Sequence, residues 1–340
     1  MTAAPLSEPL RWGVLSTAQI GLNHVVPAIQ ASAAGRVVAI ASRSSEAAEA
    51  AAKAHGIAGA HGSYEALLAD PGVEAVYNPL PNHLHAEWTI RALEAGKHVL
   101  CEKPIGLDAA EARTIAEAAR RTGCHVAEAF MVRHHPQWLA ARRLVREGRI
   151  GALRAFQVAF TYHLTDPANI RNQAAIGGGG LYDVGCYAVS TARFLFEAEP
   201  ERVIALFDRD PVLQVDRLAS GIAEFPGGRH LSFVCGTQAA LTQSALLIGE
   251  AGRIGIEIPF NAPINRPTRL TVDDGRDLLG SGAEVIAFAP CDQYALQADA
   301  FARAVRTGAQ PEWGMDDAIG NMRVLDALFR SGRSGGWERP

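Results

Sequence analysis

Short apolar runs alternate with amphipathic stretches along the first part of the chain. The runs have the length of buried strands and fall at residues 10–15, 37–41, 75–77, 98–101 and 124–127. Between them, apolar residues recur at helical spacing, most clearly at 46–54, 86–95 and 108–121. Strands that alternate with helices in this way predict a parallel, doubly wound α/β sheet.

The pattern changes in the second half, where apolar alternation with a period of two becomes the rule. Strands are predicted at 153–163, 202–207, 220–225, 229–236, 244–249, 253–258 and 269–272, with a hairpin at 226–228. Because most of these strands follow one another without helices between them, we expect an α+β domain with an open, largely antiparallel sheet. Two long helical patterns follow, at 292–306 and 315–330.

Two domains are expected, because 340 residues exceed what one hydrophobic core usually serves. We place their limits at 1–127 and 128–314. A C-terminal helix at about 315–331 is expected to pack back on the first domain.

Composition narrows the class of partner. A net charge of -4 and a pI near 6.3 give no basic surface for nucleic acid or for an anionic membrane, so a small-molecule partner is favoured. We expect a cytoplasmic protein, since residues 1–9 do not read as a signal peptide and no apolar run approaches membrane-spanning length. The five scattered cysteines form no CxxC pair, which argues against a disulfide framework or a structural zinc site.

The turn after the first strand has the arrangement of a dinucleotide-binding turn. A helix N-terminus presents unpaired N–H groups to a pyrophosphate, provided that the backbone can approach closely. The usual GxGxxG is replaced here by SxAxxG, and small side chains at Ser16 and Ala18 are acceptable only if neither residue needs a positive φ. An ordinary strand-to-helix turn is the alternative. The candidate cofactor-binding residues are Ser16, Thr17, Ala18, Gln19 and Ile20.

The second strand ends in Ser42, Arg43 and Ser44, where a site selective for NAD would carry a carboxylate for the ribose 2′-hydroxyl. A guanidinium with hydroxyl groups suits a 2′-phosphate instead, so NADP is favoured over NAD as the cofactor. The alternative is a solvated turn in which Ser44 or Ser45 caps the following helix.

Two further strand ends carry polar candidates. After the third predicted strand, Leu80, Asn82 and His85 are expected to face the cofactor, and no metal is expected at His83 and His85 because no further ligand completes a set. After the fourth, Lys103 stands before Pro104, which favours an extended backbone and removes a donor. Lys103 is therefore a catalytic candidate, and a surface lysine is the alternative.

Four consecutive glycines, 177–180, precede a helix in the second half that places Asp183 and Tyr187 four residues apart. These two residues form a candidate acid/base pair. A core aromatic and a first-turn charge are the alternatives. Polar residues nearby, Asn169 and Arg171, suit a polyol substrate, and Arg133 is a further candidate for substrate contact.

In combination, four motifs resemble the glucose-fructose oxidoreductase / inositol dehydrogenase (Gfo/Idh/MocA) family of nicotinamide-dependent oxidoreductases. The motifs are 16–21 STAQIG, 81–85 PNHLH, 102–104 EKP and 178–187 GGGLYDVGCY. Tyrosine at Tyr187 resembles the branch that contains D-xylose dehydrogenase and dimeric dihydrodiol dehydrogenase. The resemblance implies an N-terminal Rossmann domain, an acid/base pair of Lys103 and Tyr187, a substrate-orienting Asp183, and Glu102 against the nicotinamide ribose.

The function expected from the residues and the resemblance is hydride transfer between NADP and a sugar hydroxyl, at C1 of an aldopyranose. Dihydrodiol dehydrogenase or an anhydrofructose-type carbonyl reductase is the alternative within enzymes, and a non-catalytic NADP-sensing regulator is the alternative outside them. A homodimer or homotetramer is expected through the C-terminal sheet.

Overall fold

The computed structural model describes residues 8–340, which divide into two compact units. The first unit runs to Met131 and includes Tyr294–Ile319, and the second comprises Val132–Gln293 and Gly320–Pro340.

The first unit contains a six-stranded parallel sheet in the order β3-β2-β1-β4-β5-β6. The strands are β1 Leu10–Leu15, β2 Gly35–Ala41, β3 Gly59–His61, β4 Ala75–Asn78, β5 His98–Cys101 and β6 Val126–Glu128. The helices between them are α1 Val26–Ala31, α2 Ser45–His55, α3 Tyr64–Leu68, α4 His85–Glu94 and α5 Ala109–Thr122. The doubly wound fold expected from the sequence is confirmed.

The central strands of this sheet are apolar because both faces are covered. Trp12, Tyr77 and Leu100 are buried in one core cluster. Helix boundaries follow local chemistry: the side chain of Asp108 accepts a hydrogen bond from the amide of Glu111 at the start of α5, and Gly123 ends that helix in the left-handed conformation.

The second unit contains an eight-stranded sheet in the order β14-β13-β12-β11-β7-β10-β9-β8. Its strands are β7 Leu153–His163, β8 Arg202–Arg209, β9 Asp216–Phe225, β10 Arg229–Gly236, β11 Gln238–Gly249, β12 Arg253–Ile256, β13 Thr268–Asp273 and β14 Ala283–Phe288. All neighbours are antiparallel except β7 and β10, which run parallel. Two helices, α6 Pro136–Arg146 and α7 Cys186–Phe196, belong to this unit. The largely antiparallel sheet is confirmed.

Two long helices close the chain, α8 Gln293–Thr307 and α9 Met315–Ser334. The ring of Phe301 in α8 packs at 5.4 Å from that of Trp12 in the first unit. In α9, Phe329 contacts Tyr182 and Phe207, and residues from Gly320 onward belong to the second unit. The sequence instead predicted that a helix at 315–331 would return to the first domain. Helical periodicity shows that a helix has an apolar face, but not which sheet that face covers.

Candidate active site

The candidate cofactor residues of the first unit follow the carboxyl ends of four parallel strands, so they lie along one edge of the sheet. Ser16 follows β1, Ser42 follows β2, Leu80 lies beyond β4, and Glu102 follows β5. In a doubly wound sheet, ligands bind at this edge where the strand order reverses, which here is between β1 and β4.

The turn after β1 contains backbone strain. Ser16 has φ of 71°, and its hydroxyl accepts a hydrogen bond from the amide of Ala18 at 3.2 Å. The expectation that Ser16 could stand in this turn only without a positive φ is therefore wrong. A left-handed residue with a Cβ costs about 1–3 kcal/mol, and such strain clusters at ligand sites, while the local hydrogen bond offsets part of the cost. Ser16 occupies the conformation that glycine supplies in GxGxxG.

The helix that follows this turn begins as a π-helical turn over Gly21–Val25 and continues as α1. Together the two segments form one continuous helix whose N-terminal end, at Gln19 and Ile20, faces the same edge of the sheet as the turn. Unpaired amides at such an end suit an anion. The residues present thus fit the pyrophosphate of a dinucleotide.

Arg43 is exposed at the end of β2, and its guanidinium is hydrogen-bonded to the hydroxyl of Tyr64. Burial raises the pKa of Tyr64, and the Arg43 charge opposes that rise. Ser44 caps α2, since its hydroxyl accepts from the amide of Ala47 at 3.2 Å, so the capping alternative holds for Ser44. Its own amide donates to the hydroxyl of Ser42. Tyr64 was missed because α3 was not recognised in the sequence.

His85 is buried between two backbone carbonyls. Its Nε2 lies 2.6 Å from the oxygen of Leu80, and its Nδ1 lies 2.6 Å from the oxygen of Pro104. Burial lowers the pKa of His85 to about 4, while both carbonyls favour the charged ring. The ring therefore links the loop after β4 to the residue that follows Lys103. Asn82 begins a short 3₁₀ turn within that loop.

Glu102 is held by the strand beside it. The hydroxyl of Tyr77 in β4 donates to Oε1 of Glu102 at 2.7 Å, and the amide of Lys103 lies 3.3 Å from Oε2. Burial, and then the Glu102 charge, raise the pKa of Tyr77 well above its ordinary value. On the other side of Lys103, the amide of Ile105 donates to the carboxylate of Glu128 in β6 at 2.8 Å. The backbone on both sides of Lys103 is thus fixed by buried side chains.

In the second unit, Asp183 lies in a π-helical turn, Leu181–Gly185, that leads directly into α7. The hydroxyl of Tyr162 in β7 donates to Oδ2 of Asp183 at 2.5 Å, and Nε of Arg171 lies 3.1 Å from Oδ1. Burial, and then the Asp183 charge, raise the pKa of Tyr162 above its ordinary range. Both carboxylate oxygens are therefore fixed in place. Tyr162 was missed because nothing in a strand's sequence shows what lies opposite one side chain.

Tyr187 is buried in an aromatic environment, with its ring 5.8 Å from that of Phe160 and 5.5 Å from that of Phe260. Tilted aromatic pairs at this separation restrict the ring and add about 0.5–1.5 kcal/mol each. Tyr187 thus stands on the same helix as Asp183, one turn further along.

The other candidates for substrate contact have local partners. The side chain of Asn169 accepts from the amide of Arg171 at 3.1 Å and so begins the turn that carries Arg171. Arg133 is buried and donates to the carbonyl of Ser190 in α7 at 3.1 Å. The structure therefore groups Asn169, Arg171 and Asp183, and it directs Arg133 to the backbone of α7.

Neither a cluster of metal-ligating side chains nor a membrane-spanning helix is found among residues 8–340. No group of three or more His, Cys, Asp or Glu side chains there could hold a metal ion. Within the same range, none of the helices has the length and apolar character needed to cross a membrane.

A parallel sheet of this order, with a strained turn and a helix N-terminus at its switch point, is typical of a dinucleotide-binding domain. Comparison with known families agrees. Residues 10–130 match the model described as an oxidoreductase family with an NAD-binding Rossmann fold, and residues 138–255 match the GFO/IDH/MocA C-terminal domain. The chain belongs to the Gfo/Idh/MocA family of oxidoreductases.

Individual relatives match over almost the whole chain. An uncharacterized oxidoreductase of Rhizobium meliloti is 46% identical, and the match covers 97% of this chain and 98% of the relative's length. A D-xylose 1-dehydrogenase (NADP(+)) of Haloferax volcanii is 39% identical over 96% of this chain and 98% of its own. Among solved structures, a 3-ketoreductase from Actinomadura kijaniata, in complex with NADP and TDP-benzene, is 33% identical. It superposes with a TM-score of 0.89, covering 95% of this chain and 98% of its own.

Proposed function

We propose that this protein is an NADP-dependent sugar dehydrogenase that oxidises the C1 hydroxyl of an aldopyranose to a lactone. The observation that carries the proposal is Asp183, whose carboxylate is fixed by Tyr162 and Arg171 on the helix that also bears Tyr187. A carboxylate accepts hydrogen bonds, and sugar hydroxyls donate them. The similarity to a D-xylose dehydrogenase supports the same substrate class.

Lys103 and Tyr187 are the proposed acid/base pair, with Tyr187 taking the proton of the substrate hydroxyl. An ordinary tyrosine has a pKa of about 10, and a nearby ammonium favours its phenolate, which is the role assigned to Lys103. Asp183 orients the sugar ring. The nicotinamide, when bound, accepts the hydride from the carbon. Acid/base assistance of this kind contributes about 10²- to 10⁴-fold to the rate.

NADP is the proposed cofactor, and NAD is a poorer one. Arg43 supports this choice, because its guanidinium can bind a 2′-phosphate through two hydrogen bonds and Tyr64 restrains it. The relative from Haloferax volcanii and the ketoreductase are named with NADP. The residues proposed to hold the cofactor are Ser16, Thr17, Ala18, Gln19, Ile20, Ser42, Arg43, Ser44, Leu80, Asn82, His85, Glu102 and Lys103.

A second candidate function is the reduction of a keto group on a sugar, at a carbon other than C1. It is favoured by the 3-ketoreductase fold match over nearly the whole chain. The same acid/base pair serves it, with Tyr187 giving a proton instead of taking one.

A homodimer or homotetramer through the open sheet of the second unit is also proposed. Strand register places Leu206 in β8, Ile222 in β9 and Val285 in β14 on one face of that sheet. All three side chains are exposed in the single chain. Apolar residues spread across one sheet face support burial against a second copy. Analytical ultracentrifugation of the wild type and of Leu206→Glu tests this proposal, and we expect an oligomeric wild type that the variant weakens. A monomeric wild type would reject the proposed oligomer.

The experiment that tests the function is a steady-state panel of D-xylose, D-glucose, 1,5-anhydrofructose and a cyclic diol, each with NADP and NAD in the appropriate redox state. We expect the highest kcat/KM with an aldopyranose and NADP. A preference for the keto sugar with NADPH would favour the second candidate. Tight NADPH binding without turnover on any compound would instead indicate a regulator.

A further inference from the structure

Asp216, the first residue of β9, lies buried against the N-terminus of the helix that bears Asp183 and Tyr187. Its Oδ2 accepts a hydrogen bond from the amide of Leu181 at 2.6 Å, and the amide of Gly180 also donates to this carboxylate. An anion is stabilised at such a position by the unpaired amides and by the helix dipole. The carboxylate of Asp216 is therefore the anion that binds the amides at this helix N-terminus.

The glycines before the helix are explained by that carboxylate. A Cβ on Gly179 would lie 2.0 Å from Oδ1 of Asp216, and the φ of Gly179 is +118°. A Cβ on Gly180 would lie 3.0 Å from Cα of Gly236. Further along, a Cβ on Gly185 would lie 2.8 Å from Sγ of Cys235 in β10. A glycine-rich loop before a helix often receives a phosphate, but here the space belongs to Asp216 and the strands beneath it.

The same glycine segment also fixes the loop that carries Arg171. The amide of Gly179 donates to the carbonyl of Arg171 at 2.9 Å, and the amide of Gly178 donates to the carbonyl of Gln173 at 3.0 Å. Since Arg171 in turn contacts Asp183, one buried carboxylate supports both the helix start and the loop that holds the helix's functional side chain. A shift of that start would move Arg171 and Asp183 together.

We propose that the ionised carboxylate of Asp216 is the positioning group that holds Asp183 and Tyr187 in register for catalysis. This inference rests on the proposed function for its kinetic consequence, and on the hydrogen bonds of Leu181 and Gly180 for its structural one. Asp216 acts through the helix and touches neither substrate nor cofactor, so it is not itself a catalytic residue.

The ionisation of Asp216 falls in an accessible range. Burial raises its pKa to about 6, although the amides of Leu181 and Gly180 and the charge of Arg209 in β8 pull it down. Cys235 in β10 is a further ionisable group near it, and Cys186 and Asp183 on the helix lie near Cys235 in turn. Protonation converts one acceptor oxygen into a hydroxyl donor and removes the charge, which weakens the hydrogen bonds from the surrounding amides.

Protonation of Asp216 has different expected effects on catalysis and on the stability of the fold. Because the folded-state pKa is raised, the folded chain binds the proton more readily than the unfolded chain, and protonation of Asp216 does not itself destabilise the fold. Catalysis is expected to fall as the pH drops through about 6, while the contribution of this group to stability does not.

The kinetic test compares Asp216→Asn with Asp208→Asn, a control at an exposed carboxylate that pairs with Arg217 on the neighbouring strands. We expect Asp216→Asn to fold, to lose about 10- to 100-fold in kcat with KM for NADP unchanged, and to lack the acidic limb of the wild-type profile. Asp208→Asn should keep the wild-type profile. Wild-type kcat and an unchanged acidic limb in Asp216→Asn would overturn the proposal.

Hydrogen exchange on the full chain supplies a readout that needs no substrate. At about pH 8, where Asp216 is ionised, protection of the amides at 180–183 is expected to be about 10-fold lower in Asp216→Asn than in the wild type, while β7 stays equally protected in both. Equal protection at 180–183 in the two proteins would overturn the proposal. A loss of protection at 180–183 in a protein that oxidises no sugar would reject the proposed function and still support the anchoring by Asp216.

Discussion

The hydroxyl of Tyr162 donates to Oδ2 of Asp183 across 2.5 Å, which joins a strand residue to a helix residue 21 positions later. Arg171 contacts the other oxygen at 3.1 Å. A carboxylate held from two sides cannot rotate to meet a substrate, so the substrate must orient to it. Such pre-organisation would suit the proposed polyol substrate, because the hydroxyls of a polyol differ only in position.

Removing the Tyr162 hydroxyl should weaken catalysis without affecting the cofactor. A hydrogen bond to a charged group is worth about 1.5–3 kcal/mol, so Tyr162→Phe should lower kcat/KM for the sugar by about 10- to 100-fold. KM for NADP should not change. Tyr182→Phe is the matched control, since Tyr182 packs on Phe329. Equal kcat/KM in the two variants would show that the clamp on Asp183 does not matter.

Arg43 should determine the choice between cofactors. Arg43→Ala should raise KM for NADP by about 10-fold or more and leave KM for NAD near its wild-type value, because only NADP carries the 2′-phosphate. Arg36→Ala, at an exposed arginine of β2, is the control. Tyr64→Phe should produce a smaller loss of the same kind by releasing the guanidinium. A parallel loss for both cofactors would contradict the assignment.

Lys103→Met and Tyr187→Phe should each lower kcat by about 10²- to 10⁴-fold. In Tyr187→Phe, which changes none of the residues proposed to hold the cofactor, NADPH binding measured by fluorescence titration should stay within about twofold, whereas Lys103→Met also removes a proposed cofactor contact and should weaken that binding. Lys53→Met, at an exposed lysine of α2, is the control. The double variant should lose little more than either single one, since residues that act as a unit are not additive. Near-normal turnover in either single variant would remove that residue from the mechanism.

In addition to His85, two histidines predict a loss of stability in acid, the buried His135 and the half-buried His98. Burial lowers the pKa of His98 and of His135 to about 4 in each case. Each also accepts a backbone hydrogen bond at Nδ1, from the amides of His125 and Gln137 respectively. With the folded pKa below the unfolded value of about 6.5, the unfolded chain binds more protons, so stability is full above about pH 6.5 and falls toward pH 4.

Urea unfolding across that pH window measures the effect. His135→Asn retains an acceptor at the N-cap of α6 and removes one titrating group, so it should make the pH dependence shallower, with His85 and His98 still contributing, while changing neutral stability by only about 1 kcal/mol. The wild-type slope remaining in this variant would mean that His135 does not contribute to it.

Much of the fold could be predicted from the sequence because its signals are local. The strands at 153–163 and 229–236 have the predicted limits, and Asp108 caps α5 as expected. β3 has only three residues, and β14 is a largely exposed edge strand, so neither carries an apolar pattern that stands out.

The partners of the site residues could not be predicted, because they depend on tertiary contacts. Motifs in the sequence predict Lys103, Asp183 and Tyr187 as site residues, whereas no motif indicates Tyr162 or Tyr77, since each contacts a residue distant in the chain. Asp216 was missed because the strand it begins was predicted to start at 220. Ser16 was a candidate from the sequence, but its conformation was predicted wrongly. The rule that a residue with a Cβ avoids a positive φ does not hold at this strained turn.

Deuterium at C1 of D-xylose tests the central claim most directly. Turnover of this substrate with NADP should be slower than with the unlabelled sugar, and the deuterium should appear in the NADPH that forms, because the bond broken is the one at C1. NADPH without deuterium, formed together with a product that retains the label at C1, would contradict the account.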